Sequence, residues 1–281
     1  MLRTLDGLRL LGASDLPAML ELTARNPVVN VFVEYRSRLT RLDPRWLGGE
    51  MWGYYADGNL VSACHSAANL VPVEGTGEAL QAFSARTLSQ PRRCATIVGP
   101  STAVEQMWRA IEPRWGAARD YRPGQLHMEI AGPPAVAPDT AVRRSTSSDL
   151  DALYPACVAM YAEEVGISPE VGGGADLYRA RIAQLIAKGW SFVRMEEGRV
   201  VFKAEIAAAT PSACQVQGVY VAPDRRGEGL AAAGMAAVVE MALRDIAPVV
   251  SLYTNDYNHA ARRAYERVGF VRTDDFTTIM F

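Results

Sequence analysis

The stretch Gly218-Val219-Tyr220-Val221-Ala222-Pro223-Asp224-Arg225-Arg226-Gly227-Glu228-Gly229-Leu230-Ala231 decides how the rest of the chain is read. It opens as a strand. Pro223 and Asp224 turn the chain out of that strand, and the Ala- and Met-rich run over 229–245 predicts a helix. A helix N-terminus offers unpaired N–H groups and the positive end of a dipole, so the turn suits an anion. Gly227 and Gly229 let that anion approach the backbone, and Arg226 adds a fixed charge with a fork of donors. A Gly-x-Gly alone would mark no more than a strand-to-helix turn; its context gives it weight.

Working outward from 140, the pattern predicts a strand, helices over 147–163 and 175–188, and strands over 190–196, 199–208 and 213–222. After the helix over 229–245 come a strand over 248–254, a helix over 258–268 and a closing strand or hairpin to 281. The last helix and its approach read Asn255-Asp256-Tyr257-Asn258-His259-Ala260-Ala261-Arg262-Arg263-Ala264-Tyr265-Glu266-Arg267-Val268-Gly269-Phe270. On a strand further back, Lys203 and Glu205 share one face while Phe202, Ala204 and Ile206 share the other. Glu205 there is either a functional carboxylate or half of a cross-strand salt bridge. Glu163 and Glu164 close the first helix of this half, and Gly172-Gly173-Gly174 mark either a flexible connection or a lid.

These segments resemble the two signatures of the GNAT acyltransferase superfamily. One is a strand ending in V-x-P-x-x-R, then Arg/Gln-x-x-Gly-x-Gly/Ala, where Arg226, Gly229 and Ala231 fall on defining positions. The other is Asn-x-x-Ala-x-x-x-Tyr-Glu-x-x-Gly-Phe, matched from Asn258 to Phe270. The resemblance covers 140–281 well and the first half weakly. It implies an α/β fold with a mixed, mostly antiparallel twisted sheet flanked by helices. It also implies an N-acyltransferase that moves an acetyl group from acetyl-CoA directly to a primary amine of a small molecule or peptide, without a metal. Carried over position by position, the main chain of Val219, Tyr220 and Val221 would pair with the pantetheine arm. The N–H groups of Arg226, Gly227, Glu228, Gly229, Leu230 and Ala231 would hold the pyrophosphate. Asn255, Asn258 and Ala261 would complete the donor side, with Asn258 beside the pantetheine. Tyr265 would contact the donor and protonate the departing thiolate. An N–H near Val221 would stabilise the oxyanion, and Glu205 or Glu164 would serve the incoming amine.

The chain also repeats itself. Leu8–Leu11 and Ser14–Leu20 match Ala141–Arg144 and Ser148–Tyr154 as a strand and a capped helix; Met51–Val61 and Trp190–Val201 both read as hairpins with a tight turn at Gly. Gly75-Thr76-Gly77-Glu78-Ala79-Leu80 stands where the second half has Arg225 to Leu230. Three matches in one order predict two tandem domains: 1–130, a Pro-rich linker over 131–139, and 140–281. The arrangement resembles a bacterial group in which a degenerate GNAT-like domain precedes an active-looking one. Placing Thr76 against Arg226 and Ala79 against Gly229 predicts that the first copy does not bind CoA.

Composition bounds the alternatives. At 281 residues with 49% hydrophobic and 21% charged, the chain reads as a soluble globular protein of two domains. A net charge of −2 gives no electrostatic support for a nucleic-acid partner, and the pyrophosphate loop argues against an aminoacyl-tRNA donor. A CoA-binding regulatory module without turnover is the other alternative, which Tyr265 disfavours. No apolar run is long enough to cross a bilayer, and Met1-Leu2-Arg3-Thr4-Leu5-Asp6-Gly7 lacks the pattern of a leader. Cys64, Cys94, Cys157 and Cys214 stand singly, as buried thiols do in a reducing, cytoplasmic setting, and His65, His127 and His259 have no metal-ligand spacing. The acceptor is not named by the sequence, and a homodimer is compatible with it.

Overall fold

The structure is a computed structural model that describes residues 6–281; Met1–Leu5, most of the stretch read as lacking a leader, lie outside the described residues. In chain order the elements are β1 (Gly7–Leu10), α1 (Leu16–Thr23), α2 (Val31–Thr40), α3 (Pro44–Leu47), β2 (Glu50–Ala56), β3 (Asn59–Ser66), β4 (Asn69–Val73), α4 (Gly77–Leu88), β5 (Thr96–Pro100), α5 (Ser101–Trp115) and β6 (Asp120–Ile130). They continue as β7 (Arg143–Arg144), α6 (Leu150–Val165), α7 (Ala175–Ala187), β8 (Ser191–Glu196), β9 (Arg199–Ala209), β10 (Cys214–Val221), α8 (Leu230–Asp245), β11 (Val250–Thr254), α9 (His259–Val268) and β12 (Val271–Met280). No helix among the described residues is long and apolar enough to cross a membrane.

The described residues form two compact units. The first holds the residues up to His127 together with Tyr253–Asp256 and Arg272–Phe281; the second holds Met128–Leu252 and Tyr257–Val271. In the first unit β1, β2, β3 and β4 pair antiparallel in order, and β4 pairs β5 in parallel through Asn69↔Thr96 and Leu70↔Ile97. β12 runs antiparallel to β5, from Phe276↔Pro100 to Met280↔Thr96. The strand that ends the chain therefore works in the first unit. Its Ile279 is fully buried in a core with Trp52, Phe83, Ile97, Val104 and Ile111, and Phe281 packs its ring on Trp108 and Trp115.

The second unit repeats the order. β7, β8, β9 and β10 are antiparallel, and β10 meets β11 in parallel through Cys214↔Val250 and Gln215↔Ser251. Both units are thus mixed, mostly antiparallel sheets with helices between the same strands, and α3 is an addition in the first. The two hairpins match in detail: Asp57 and Gly58 have φ of 50° and 76°, Glu197 and Gly198 49° and 76°. Two successive left-handed residues follow the twist of the flanking strands, which is why Gly stands second in each turn.

Residues 131–139 form a tied strap with no regular structure. The Ala135 N–H donates to the Val268 carbonyl at 2.8 Å, and the Asp139 N–H to the Ala233 carbonyl at 3.0 Å. The Asp139 carboxylate accepts from Arg194 at 2.6 Å.

Candidate active site

α8 begins at Leu230, with Gly229 as its N-cap at φ 85° and Gly227 at φ 86°. A side chain strains that backbone region, whereas glycine enters it freely; no atom stands within 4 Å of where either Cβ would be. The first backbone donors bonded at this end are Ala232 and Ala233, both to the Gly229 carbonyl. The N–H groups of Gly227, Glu228, Gly229, Leu230 and Ala231 have no partner among the described residues. Five free donors at the positive end of a helix form an anion cradle.

Ion pairs brace this loop. Arg199 grips the Asp224 carboxylate with both nitrogens, at 3.0 and 2.6 Å. Arg225 is shared between Glu196 and Glu228, and Glu196 also takes Arg194 at 2.5 Å. The Glu228 side chain is therefore turned to Arg225, and this residue offers the cradle its N–H alone. Arg226 is the arginine left at the mouth. Its Nε donates to the Val221 carbonyl at 3.2 Å and its terminal nitrogen to Glu163 at 2.7 Å.

Upstream, β10 pairs with β11 only at Cys214 and Gln215, so the strands part and leave the β11-side edge of Val216–Val221 without a strand partner. On its other side β10 follows β9 up to Gln217↔Glu205 and again from Tyr220↔Lys203; Gly218 and Val219 fall in the shift between them. Gly218 has φ 59°. A Cβ there would stand 3.1 Å from Met160 Cε, 3.3 Å from Lys203 Nζ and 3.4 Å from Glu205 Oε2. The bulge thus opens onto a buried pair. Lys203 is fully buried, and its Nζ donates to Glu205 Oε1 at 2.6 Å. Burial pulls the Lys203 ammonium toward the neutral form, but the Glu205 carboxylate outweighs it and the net direction is up. The Cys157 thiol donates to the same Oε1 at 3.6 Å, and Tyr178 donates to the Cys157 carbonyl at 3.0 Å. The Glu205 pair is therefore made along one strand, and the cross-strand bridge that the sequence allowed is not formed. Burial pushes the Cys157 thiol up to about 12, which leaves it inert as a nucleophile.

One face of α6 ties these features together: Cys157 meets Glu205, Met160 covers Gly218, and Glu163 meets Arg226, at spacings of one helical turn. Glu164 is the next residue. Its charge, after burial, is a cause of the rise in the pKa values of Tyr265 and, more weakly, Tyr178. Tyr265 lies on α9, 7% exposed, with its ring edge-on to Phe270. Asn258 caps α9 by accepting from the Ala261 N–H at 3.1 Å, so its Oδ1 is committed to the helix. Asn255 groups with the first unit, where its Oδ1 accepts from Gln125 at 2.8 Å. Cys157 was read from the sequence only as a buried thiol, and Met160 and Tyr178 were not singled out; Cys157 and Met160 share a face of α6 and Tyr178 comes from α7, so their grouping is visible only once both helices are placed. Among the described residues no group of three or more His, Cys, Asp or Glu could hold a metal ion.

The corresponding turn of the first unit is built differently. Its strand ends at Val73 and α4 starts at Gly77 with Thr76 as N-cap. Matched on helix caps, Thr76 corresponds to Gly229. The expected pairing with Arg226 is corrected by this, because the whole Gly-rich turn is shortened to Glu74–Thr76. The Thr76 N–H donates to Ser62 Oγ at 3.3 Å, Glu74 is held by Asn30 at 3.0 Å, and a Cβ at Gly75 would strike Leu80 at 2.7 Å. A carboxylate and packed apolar side chains stand where the second unit has open donors.

Residues 176–270 match the model of the acetyltransferase (GNAT) family, and residues 49–153 match a domain of unknown function, DUF4081. No curated protein matches the chain in sequence. Among solved structures, the chain is similar to an acetyltransferase from the GNAT family from Colwellia psychrerythraea, at 14% identity over 98% of this chain and 99% of that chain, with a TM-score of 0.60. It is similar to a GCN5-related N-acetyltransferase from Sphaerobacter thermophilus, at 18% identity over 97% and 95%, with a TM-score of 0.58. A tandem GNAT protein from the clavulanic acid biosynthesis pathway aligns at 17% identity over 97% and 98%, with a TM-score of 0.56. At such identities the likeness is one of fold, and it spans both halves of the chain.

Proposed function

From the match of residues 176–270 to the acetyltransferase (GNAT) family model and the repeated strand order of the two units, we propose that the protein transfers an acetyl group from acetyl-CoA to a primary amine of a small molecule or peptide, with a degenerate copy of the domain in its N-terminal region. The observation that carries this reading is the row of five unpartnered N–H groups from Gly227 to Ala231 beside Arg226. That row is continuous with the open edge of β10. A pyrophosphate with an extended amide-bearing arm fits both: the anion takes the helix N-terminus and Arg226, and the amides of the arm pair along Val219–Val221 as a peptide pairs with a sheet edge.

In this reading the residues act as follows. The β10 edge and the loop hold the thioester still while the amine approaches, so that much of the rate comes from positioning. The amine nitrogen attacks the thioester carbonyl carbon, an N–H of the bulged segment near Val221 takes the developing oxyanion, and the C–S bond then breaks. Glu205 accepts the amine's proton through Oε2, the oxygen not held by Lys203. Tyr265 gives its proton to the departing sulfur. Burial and the charge of Glu164 keep that phenol protonated through the neutral range.

The test is turnover. Purified protein, acetyl-CoA and a panel of primary amines, including peptide N-termini and lysine side chains, are assayed for release of free thiol. Amine-dependent thiol release with acetylated product supports the reading. Acetyl-CoA that neither binds nor turns over contradicts it.

A further inference from the structure

The Arg226–Glu163 pair joins the donor loop to the end of α6, so an anion arriving at that loop competes with Glu163 for Arg226. Glu163 and Glu164 sit in the last turn of α6, which contains no basic residue. A carboxylate there faces the negative end of the helix dipole, an unfavourable arrangement. Arg226 is the cation that compensates Glu163, at 2.7 Å. Arg225 cannot replace it, being held by Glu196 and Glu228. The same Arg226 directly precedes the five unpartnered N–H groups in the chain, and its Nε is held on the Val221 carbonyl at 3.2 Å. A phosphate drawn into that cradle competes with Glu163 for one fork of donors.

We propose that Glu163 is an acceptor-selecting carboxylate released by the donor. With the donor absent it is neutralised by Arg226. When the donor's pyrophosphate takes Arg226, Glu163 is left uncompensated beside Glu164 at the negative end of α6. It then attracts an acceptor that carries a positive charge besides its reacting amine. Donor and acceptor binding are thereby coupled in the same sense, each favouring the other. This inference rests on the acetyl-CoA reading above and adds to it the class of acceptor.

The experiment measures acetyl-CoA affinity by calorimetry in wild type, Glu163→Gln, Arg226→Gln and the double variant. Removing the competing carboxylate tightens acetyl-CoA binding by about two- to fivefold, the range expected of an exposed ion pair. The same change has no effect when Arg226 is already Gln. Turnover is then compared on 1,4-diaminobutane and on 4-aminobutan-1-ol, which differ in the second charge. Wild type favours the diamine, and Glu163→Gln does not. Unchanged or weakened donor affinity in Glu163→Gln overturns the proposal. So do equal wild-type rates on the two amines, zero included, or a preference for the diamine that survives Glu163→Gln. Failure of wild type itself to bind acetyl-CoA counts against the donor reading instead and is seen before any variant is made.

Discussion

Tyr265 and His127 are both buried, and burial has opposite consequences for them. Burial raises the Tyr265 phenol further above neutral pH, where a tyrosine already carries its proton. Tyr265→Phe should lower kcat by about a hundredfold with little change in donor affinity; a kcat within threefold of wild type would remove Tyr265 from the chemistry. His127 is fully buried, stacked on Phe276, with Nδ1 3.1 Å from Thr273 Oγ1. Burial lowers its pKa from 6.5 to about 4, and His65 behaves likewise. The folded state thus excludes a proton that the unfolded chain accepts. Stability is complete above pH 6.5 and falls as pH drops toward 4. Between pH 7 and pH 5 each histidine should cost roughly 2 kcal/mol. His127→Gln should remove its share of the dependence, as read from urea unfolding at the two pH values; an unaltered pH dependence would contradict this. At this scale the sequence was readable where chemistry is local. Arg226, Gly227 and Gly229 declare an anion turn by type and spacing. It could not show that Glu228 turns to Arg225, or that Asn258 spends its Oδ1 on the Ala261 N–H, because those choices depend on neighbours brought in by folding.

β10 shows where element-level reading succeeds and where it stops. Its limits, 213–222 from the pattern, lie within a residue of Cys214–Val221, as do those of β8, β9, α7, α8 and α9, whereas the helix read over 147–163 is Leu150–Val165 and the strand read over 248–254 begins at Val250. Alternation and capping are local, so they survive the absence of tertiary information. The bulge is a different matter. Gly218 inside a strand pattern is a bulge signal, but that it opens over Lys203 and Glu205 depends on the pairing with β9. Gly218→Ala would put a Cβ into left-handed backbone and against Met160 and Lys203. It should destabilise the protein by about 1–2 kcal/mol and reduce turnover by more than that loss explains. A variant with wild-type stability in urea and wild-type turnover would show that the bulge is not under this constraint.

For the whole molecule, the duplication was legible because three matches keep one order, and both halves carry the same strand sequence. The partner of the closing strand was not legible, since a strand's pattern does not say which edge it joins. β12 pairs with β5 and puts Ile279 into the first unit's core. Ile279→Ala should therefore cost about 3 kcal/mol and should lower the hydrogen-exchange protection of β5 before that of β9. Loss of protection confined to β9 would contradict this. The same comparison of halves gives the central claim: the second unit has open donors and Arg226, whereas the first has Glu74 and a filled turn. The direct measurement is a calorimetric titration of the full chain with acetyl-CoA, wild type beside Arg226→Glu. One site per chain, weakened at least about tenfold in the variant, is the predicted result. Two sites per chain, or binding that Arg226→Glu leaves intact, would contradict it.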